Sequence, residues 1–190
     1  MLTWLFEFLS QYFSGFNAFR YLTLRGICGV LTSITIFFLF GPAMIRKLSE
    51  YQIGQTIRDD GPPTHFEKVG TPTMGGVLIL ISVVVATLLW ADLSNRFIWV
   101  ALFATISFGI IGWIDDYRKL VDKNPRGMGA RNKFLGQTLA GLAAAAFLYS
   151  TAQTPQETAL LVPLFKNVSI PLGIGFVAIT WFVIVGTSNA

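Results

Sequence analysis

Charged residues are scarce in this chain, and cysteine and histidine each occur once. Of its 190 residues only 13% are charged, whereas a soluble domain usually carries about 25%. Cys28 stands alone, which excludes both a disulfide within these residues and a thiolate metal cluster. His65 is also alone, and we interpret it as a solvated loop side chain in preference to a catalytic group.

Hydrophobic residues make up 53% of the chain and form runs long enough to cross a bilayer. A hydrocarbon core takes roughly 20 apolar residues in a helix, which satisfies its own backbone. The sequence therefore predicts an all-α, polytopic transmembrane helical bundle that forms one domain over residues 1–190. About five spans are expected, at residues 21–45, 74–93, 97–114, 134–150 and 171–187.

The first twenty residues differ from these spans. The stretch MLTWLFEFLSQYFSGFNAFR is aromatic but is interrupted by Glu7, Gln11 and Asn17, and it has no basic start. It resembles neither a cleavable signal peptide nor a complete span. We expect an amphipathic helix that lies in the membrane interface.

The formal net charge of +4 reflects basic residues whose distribution along the chain is typical of membrane topology, so no nucleic-acid partner is expected. Ten of the 14 lysines and arginines fall in two loops, residues 46–73 and 115–133. Because basic residues favour the cytoplasmic side, both loops are predicted to be cytoplasmic, with the N-terminus outside. The polar clusters of the chain converge on that side, so any chemistry should lie on the cytoplasmic face.

The segment GIIGWIDDYRKL, residues 109–120, ends an apolar run in the adjacent carboxylates Asp115 and Asp116. Both can share a helix face with Lys119, which follows at spacings of four and three. One interpretation is an ion-pair cluster that anchors the helix at the interface. The other is a divalent-cation site, because Mg²⁺ prefers one or two carboxylates completed by phosphate and water. We favour the cation site, since two acids oppose the basic trend of this face.

A glycine-rich segment, GTPTMGG at residues 70–76, precedes the second predicted span. It is not a Walker loop, because no Gly-Lys-Ser/Thr follows. Its glycines either permit close helix packing, or its backbone N–H groups and Thr73 receive a phosphate, with Lys68 adding charge. Together with the paired acids and the basic loop after them, this segment favours phosphoryl transfer, which depends on positioning and charge neutralisation.

These segments resemble one family. RDDGPPTHFEKVGTPTMGG (58–76), GIIGWIDDYRKL (109–120), RGMGARNKF (126–134) and FVIVGTSNA (182–190) are similar to the bacterial phospho-N-acetylmuramoyl-pentapeptide transferases, the MraY family. The resemblance implies a Mg²⁺-dependent polyprenyl-phosphate sugar-1-phosphate transferase of the bacterial inner membrane. It would join phospho-MurNAc-pentapeptide from UDP-MurNAc-pentapeptide to undecaprenyl phosphate, giving lipid I and UMP for peptidoglycan synthesis.

The resemblance also implies residue roles. Asp115 and Asp116 match the paired catalytic aspartates of the family and would hold Mg²⁺. The substrate-binding positions match Lys68, Thr73, Lys119, Lys133 and Asn189. Because a phosphate monoester has its second pKa at about 6, the lipid nucleophile hardly needs a strong base. We expect one aspartate to hold Mg²⁺ and the other to position the lipid phosphate, while a proton-abstracting role stays open.

Family members have about ten spans and continue beyond residue 190 into a further catalytic aspartate and a histidine-rich loop. We therefore expect this chain to be an N-terminal half that is inactive alone; a homodimer stays open. Ser188 stands where the family commonly has glycine, which is a minor difference.

Three alternative functions are open. The chain could be a relative that transfers GlcNAc-1-phosphate. It could instead be a non-catalytic membrane assembly module whose acids are interfacial anchors, or an ion-coupled transporter. The transporter is disfavoured because no Asp, Glu or Lys lies in the core of a predicted span, and only Arg25 comes close.

Overall fold

The computed structural model describes residues 1–51, 75–120, 127–161 and 169–189, and most of these residues are helical. The predicted all-α class is thereby confirmed. In chain order the elements are α1 (Leu2–Leu9), a 3₁₀ helix (Ser14–Arg20), α2 (Leu22–Tyr51), α3 (Gly76–Trp90), α4 (Arg96–Leu120), α5 (Ala130–Ser150), a short 3₁₀ helix (Pro155–Thr158), β1 (Ala159–Leu161), β2 (Ser169–Pro171) and α6 (Gly175–Asn189).

Two helices among the described residues, α2 and α4, are long and apolar enough to cross a membrane. The helices α3 and α6 are apolar but shorter. The arrangement of five spans remains a prediction, with α5 at the position of the fourth. Helix α4 continues to Leu120, beyond the predicted span boundary at residue 114, so the paired aspartates lie within regular helix.

The chain forms two compact units, each described by itself, and the first comprises Met1–Ile98 and Gly112–Met128. Here α2 packs along α3, and the indole Nε1 of Trp90 donates a hydrogen bond to Thr32 Oγ1 at 2.9 Å. Aromatic rings attach the N-terminal segment to the end of α3. The ring of Phe6 lies 4.0 Å from that of Phe19, and both rings stack near Trp90.

The second unit comprises Trp99–Ile111 and Gly129–Ala190. Its helices α5 and α6 pack closely at Gly141, where an added Cβ would lie 3.1 Å from Val185 Cγ2. Small residues permit such approaches between membrane helices. The connection before α6 contains β1 and β2, which pair antiparallel with Leu160 opposite Ile170. These strands were not predicted from the sequence, because three residues each are too few for an alternating pattern.

Candidate active site

The end of α4 places the two adjacent acids in an unfavourable electrostatic position. Asp115 and Asp116 lie in its last two turns, near the partial negative charge of the helix dipole. Neighbouring carboxylates also repel each other. Cations are favoured at this end, and the last turn contributes Arg118 and Lys119.

Lys119 contacts both acids. Its Nζ lies 2.8 Å from Asp115 Oδ2 and 3.5 Å from Asp116 Oδ1, which confirms the predicted shared helix face. The lysine side chain is 38% exposed, so each ion pair contributes little stability by itself. Its main effect is to offset the repulsion that two adjacent carboxylates would otherwise experience.

The backbone holds one aspartate more firmly than the other. The Met128 N–H donates a hydrogen bond of 2.7 Å to Asp115 Oδ1, so both oxygens of this carboxylate have partners. The Asp115 side chain is only 13% exposed, whereas that of Asp116 is 38% exposed and has the longer contact to Lys119. Asp115 is therefore fixed in place, and Asp116 presents its carboxylate to solvent.

A glycine permits this backbone contact. Gly127 has φ +60°, a left-handed conformation that L side chains rarely adopt. A Cβ there would press against Asp115 Oδ1 and lie 2.7 Å from Lys119 Cε. Neither Gly127 nor Met128 was singled out from the sequence. The only signal was their occurrence in the RGMGARNKF segment, whose composition says nothing of a contact with α4.

The paired acids offer a small donor set for Mg²⁺. The described residues contain no group of three or more His, Cys, Asp or Glu side chains that could hold a metal ion. Mg²⁺ needs fewer, since it retains waters and binds through one or two carboxylates plus substrate phosphates. The exposed carboxylate of Asp116 fits such a ligand. Asp115 fits as a second ligand only if its Oδ2 exchanges the Lys119 ammonium for the metal.

The second unit holds another pair of polar side chains. Asn189, at the end of α6, donates from Nδ2 to Gln137 Oε1 at 3.0 Å and to the Val185 carbonyl at 2.8 Å. Gln137 lies in α5 and is only 5% exposed, so this bond satisfies a buried acceptor. Gln137 was not among the predicted site residues, because a lone glutamine within an apolar run carries no functional signal.

The predicted site residues do not all lie in the same part of the structure. Lys133 is half-buried in the first turn of α5, in the same unit as Asn189. The structure brings Asp115, Asp116 and Lys119 together in the other unit. Lys68, Thr73 and His65 lie outside the described residues.

Two known sequence patterns match the chain. The family model for glycosyl transferase family 4 matches residues 98–190, a range that contains the paired aspartates. The phospho-N-acetylmuramoyl-pentapeptide-transferase signature 1 matches residues 68–80, which include the predicted phosphate-binding segment. Both matches support membership of the MraY family. They support a relationship to the polyprenyl-phosphate sugar-1-phosphate transferases, and together with the apolar helices they indicate an integral membrane protein.

Proposed function

We propose that the chain contributes to the site that transfers phospho-MurNAc-pentapeptide from UDP-MurNAc-pentapeptide to undecaprenyl phosphate. The products would be lipid I and UMP, formed with Mg²⁺ at the cytoplasmic face of the bacterial inner membrane. The observation that supports this most is the family signature at residues 68–80. The exposed Asp116 beside a fixed Asp115–Lys119 pair supplies compatible chemistry.

The chemistry asks little of a general base. An oxygen of the lipid phosphate attacks the phosphorus that carries the sugar, and the bond to UMP breaks. Because the second pKa of a phosphate monoester is about 6, the attacking group is already largely deprotonated at neutral pH. Positioning and charge neutralisation are then the main tasks of the protein. Bound Mg²⁺ would neutralise charge on the pyrophosphate and the leaving UMP.

The geometry suggests how the two acids divide these tasks. Asp116 is the ligand we assign to Mg²⁺, because its carboxylate is exposed. Asp115, held by Met128, fixes the ammonium of Lys119 in place. That ammonium has three donors and contacts two carboxylates among the described residues, so a third donor is available there for a substrate phosphate. Asp115 is then a positioning residue that acts through Lys119.

Substrate binding is assigned by position in the family. Lys68, Thr73 and Lys133 would contact phosphate groups, and Asn189 would contact the nucleotide. The bond from Asn189 to Gln137 leaves the Asn189 carboxamide oxygen facing away from that contact and orients the whole group. An oriented amide recognises a nucleobase better than a mobile one, because less freedom is lost on binding.

The test uses membranes that carry the complete gene product, with UDP-MurNAc-pentapeptide, undecaprenyl phosphate and Mg²⁺. UMP release and lipid-linked sugar are followed. Asp116→Asn should lower turnover at least about 100-fold, as expected for loss of a major charge-stabilising group. The matched control is Glu50→Gln, which neutralises an exposed acid near the end of α2.

Three outcomes would contradict the proposal. Normal turnover by Asp116→Asn, with normal membrane insertion, would make the acids interfacial anchors. Equal turnover with UDP-GlcNAc would assign the chain to the GlcNAc-1-phosphate branch. Turnover that persists after removal of divalent cations would exclude Mg²⁺. Separate assays of the 190-residue chain test whether it needs further residues for activity.

A further inference from the structure

Arg25 is a charged residue within a predicted membrane span, and the proposed reaction does not use it. It lies in the first turn of α2 and is half-buried. Its Nε is buried and has no hydrogen-bond partner among the residues that the structure describes. Leaving a buried, charged donor unsatisfied is costly, and an ionisable residue in a membrane helix indicates a functional site by default.

The helix itself makes this position worse for a cation. No acidic residue occurs in the first turn of α2, where the helix dipole places partial positive charge. The guanidinium of Arg25 therefore adds charge of the same sign. An anion bound there would interact favourably with both the arginine and the free N–H groups of the helix N-terminus. This electrostatic arrangement calls for a negatively charged group.

A cavity of about 240 Å³ adjoins Arg25 within the first unit. Its polar lining comes from α1, the first 3₁₀ helix, α2 and the turn between α3 and α4. The residues are Arg25, Arg20, Thr3, Glu7, Asp92 and Ser94. One oxygen of Asp92 accepts the Ser94 N–H at 3.0 Å. The lining thus offers two guanidinium groups and two carboxylates, which carry no net formal charge.

The walls of this cavity are held by aromatic packing. Phe6 and Phe19 line it and stack on each other at 4.0 Å between ring centroids. Phe19 also stacks near Trp90, whose indole is hydrogen-bonded to Thr32 of α2. The Met1 ammonium donates a hydrogen bond to the Leu88 carbonyl at 3.3 Å, so the start of α1 is also attached to α3. These contacts hold the segments around the cavity in place within this unit.

We propose that this cavity binds the head group of a zwitterionic phospholipid. The phosphate would contact the guanidinium of Arg25, and the ammonium would face Glu7 and Asp92. Absence of net charge in the lining matches a zwitterion better than an anionic head group. Trp4 and Phe8 of α1 are 78% and 51% exposed, and such an apolar surface beside the cavity suits lipid chains. The bilayer is therefore the source of the phosphate, in preference to the solution.

The test titrates the protein, purified in detergent and depleted of lipid, with defined lipids, and native mass spectrometry counts those bound. Arg25→Gln should weaken phosphatidylethanolamine binding about ten-fold, the loss expected for one charge-assisted hydrogen bond. The matched control is Arg96→Gln. Arg96 begins α4 and lies over the Phe97 ring at 5.0 Å, and it does not line the cavity. This control should bind the lipid like the parent.

Thermal unfolding provides a second measurement, which distinguishes a loss of lipid binding from a folding defect. Without lipid, Arg25→Gln should melt no lower than the parent, because it removes a buried donor, Nε, that has no partner among the described residues. With phosphatidylethanolamine, only the parent should gain stability. A lower melting temperature without lipid would show that Arg25 has a structural partner, and would overturn the proposal.

Several binding results would also overturn it. Undiminished phosphatidylethanolamine binding by Arg25→Gln would show that Arg25 does not contact the lipid phosphate. Equal binding of diacylglycerol, which has no phosphate, would show that only acyl chains are recognised. Displacement of the lipid by inorganic phosphate would show that the cavity binds a soluble anion. Tighter binding of phosphatidylglycerol than of phosphatidylethanolamine would refute the preference for a zwitterionic head group.

Discussion

Gly127→Ala tests whether the backbone contact to Asp115 organises the candidate active site. Gly127 has φ +60°, and its neighbour Met128 donates the hydrogen bond that occupies Asp115 Oδ1. A Cβ at this position would press against that same oxygen and lie 2.7 Å from Lys119 Cε. The carboxylate must then withdraw from Met128, or the loop must move away from α4.

The magnitude follows from two effects. A non-glycine residue in the left-handed conformation costs roughly 1–2 kcal/mol. Loss of a hydrogen bond to a charged acceptor costs about 1.5–3 kcal/mol. Partial relaxation makes these effects less than additive, and we expect about 3 kcal/mol for detachment of the Gly127–Met128 backbone. This energy corresponds to a change of about 100-fold in the equilibrium between attached and detached loop.

Hydrogen–deuterium exchange at the Met128 amide measures that equilibrium directly, and UMP release measures its consequence. Exchange at this amide should rise about 100-fold in Gly127→Ala, and turnover should fall in proportion to the fraction of molecules whose loop is detached. Gly129→Ala is the matched control, because it lies in the same segment with φ −56° and an added Cβ meets nothing within 4 Å. Unchanged exchange in Gly127→Ala, or equal effects in both variants, would refute the reasoning.

Three further predictions concern stability and binding. Asp115→Asn should lower the melting temperature by the equivalent of about 1–2 kcal/mol, whereas Asp116→Asn should leave it nearly unchanged, because among the described residues only the first acid has a backbone partner. Gln137→Leu should raise the KM for the UDP-linked substrate several-fold with a smaller change in kcat, since Asn189 loses the acceptor that orients it; an unaltered KM would contradict this. Gly141→Ala should destabilise by about 1–3 kcal/mol in thermal unfolding, because its Cβ would lie 3.1 Å from a methyl carbon of α6.

Local spacing made part of the site predictable from sequence. Residues three and four apart on a helix are neighbours, so Lys119 had to fall beside both aspartates once α4 was helical. The apolar runs likewise predicted α2 and α4, because composition alone determines which segments can cross a membrane. Helix continuation was less predictable. Nothing in DDYRKL separates a charged loop from two further helical turns, and the structure continues the helix to Leu120.

The contacts that differentiate these side chains could not be predicted. Met128 reaches Asp115 across 13 positions, and Asn189 reaches Gln137 across 52. Both contacts depend on the path of the chain between elements, which no hydrophobic period encodes. The environment of Arg25 is formed by four separate segments that line one cavity. Its charge was visible in the sequence, but the absence of a partner for its Nε among the described residues was not.

Helix geometry gives the adjacent acids different surroundings. Successive side chains on a helix point about 100° apart, so two neighbouring aspartates face different surroundings. The Gly127–Met128 backbone contacts Asp115, which leaves Asp116 as the more exposed carboxylate. One protein carboxylate in the open is too few to complete a Mg²⁺ shell, and substrate phosphates and water must supply the rest. We therefore expect metal affinity to be weak without nucleotide and to rise when the UDP-linked substrate is bound.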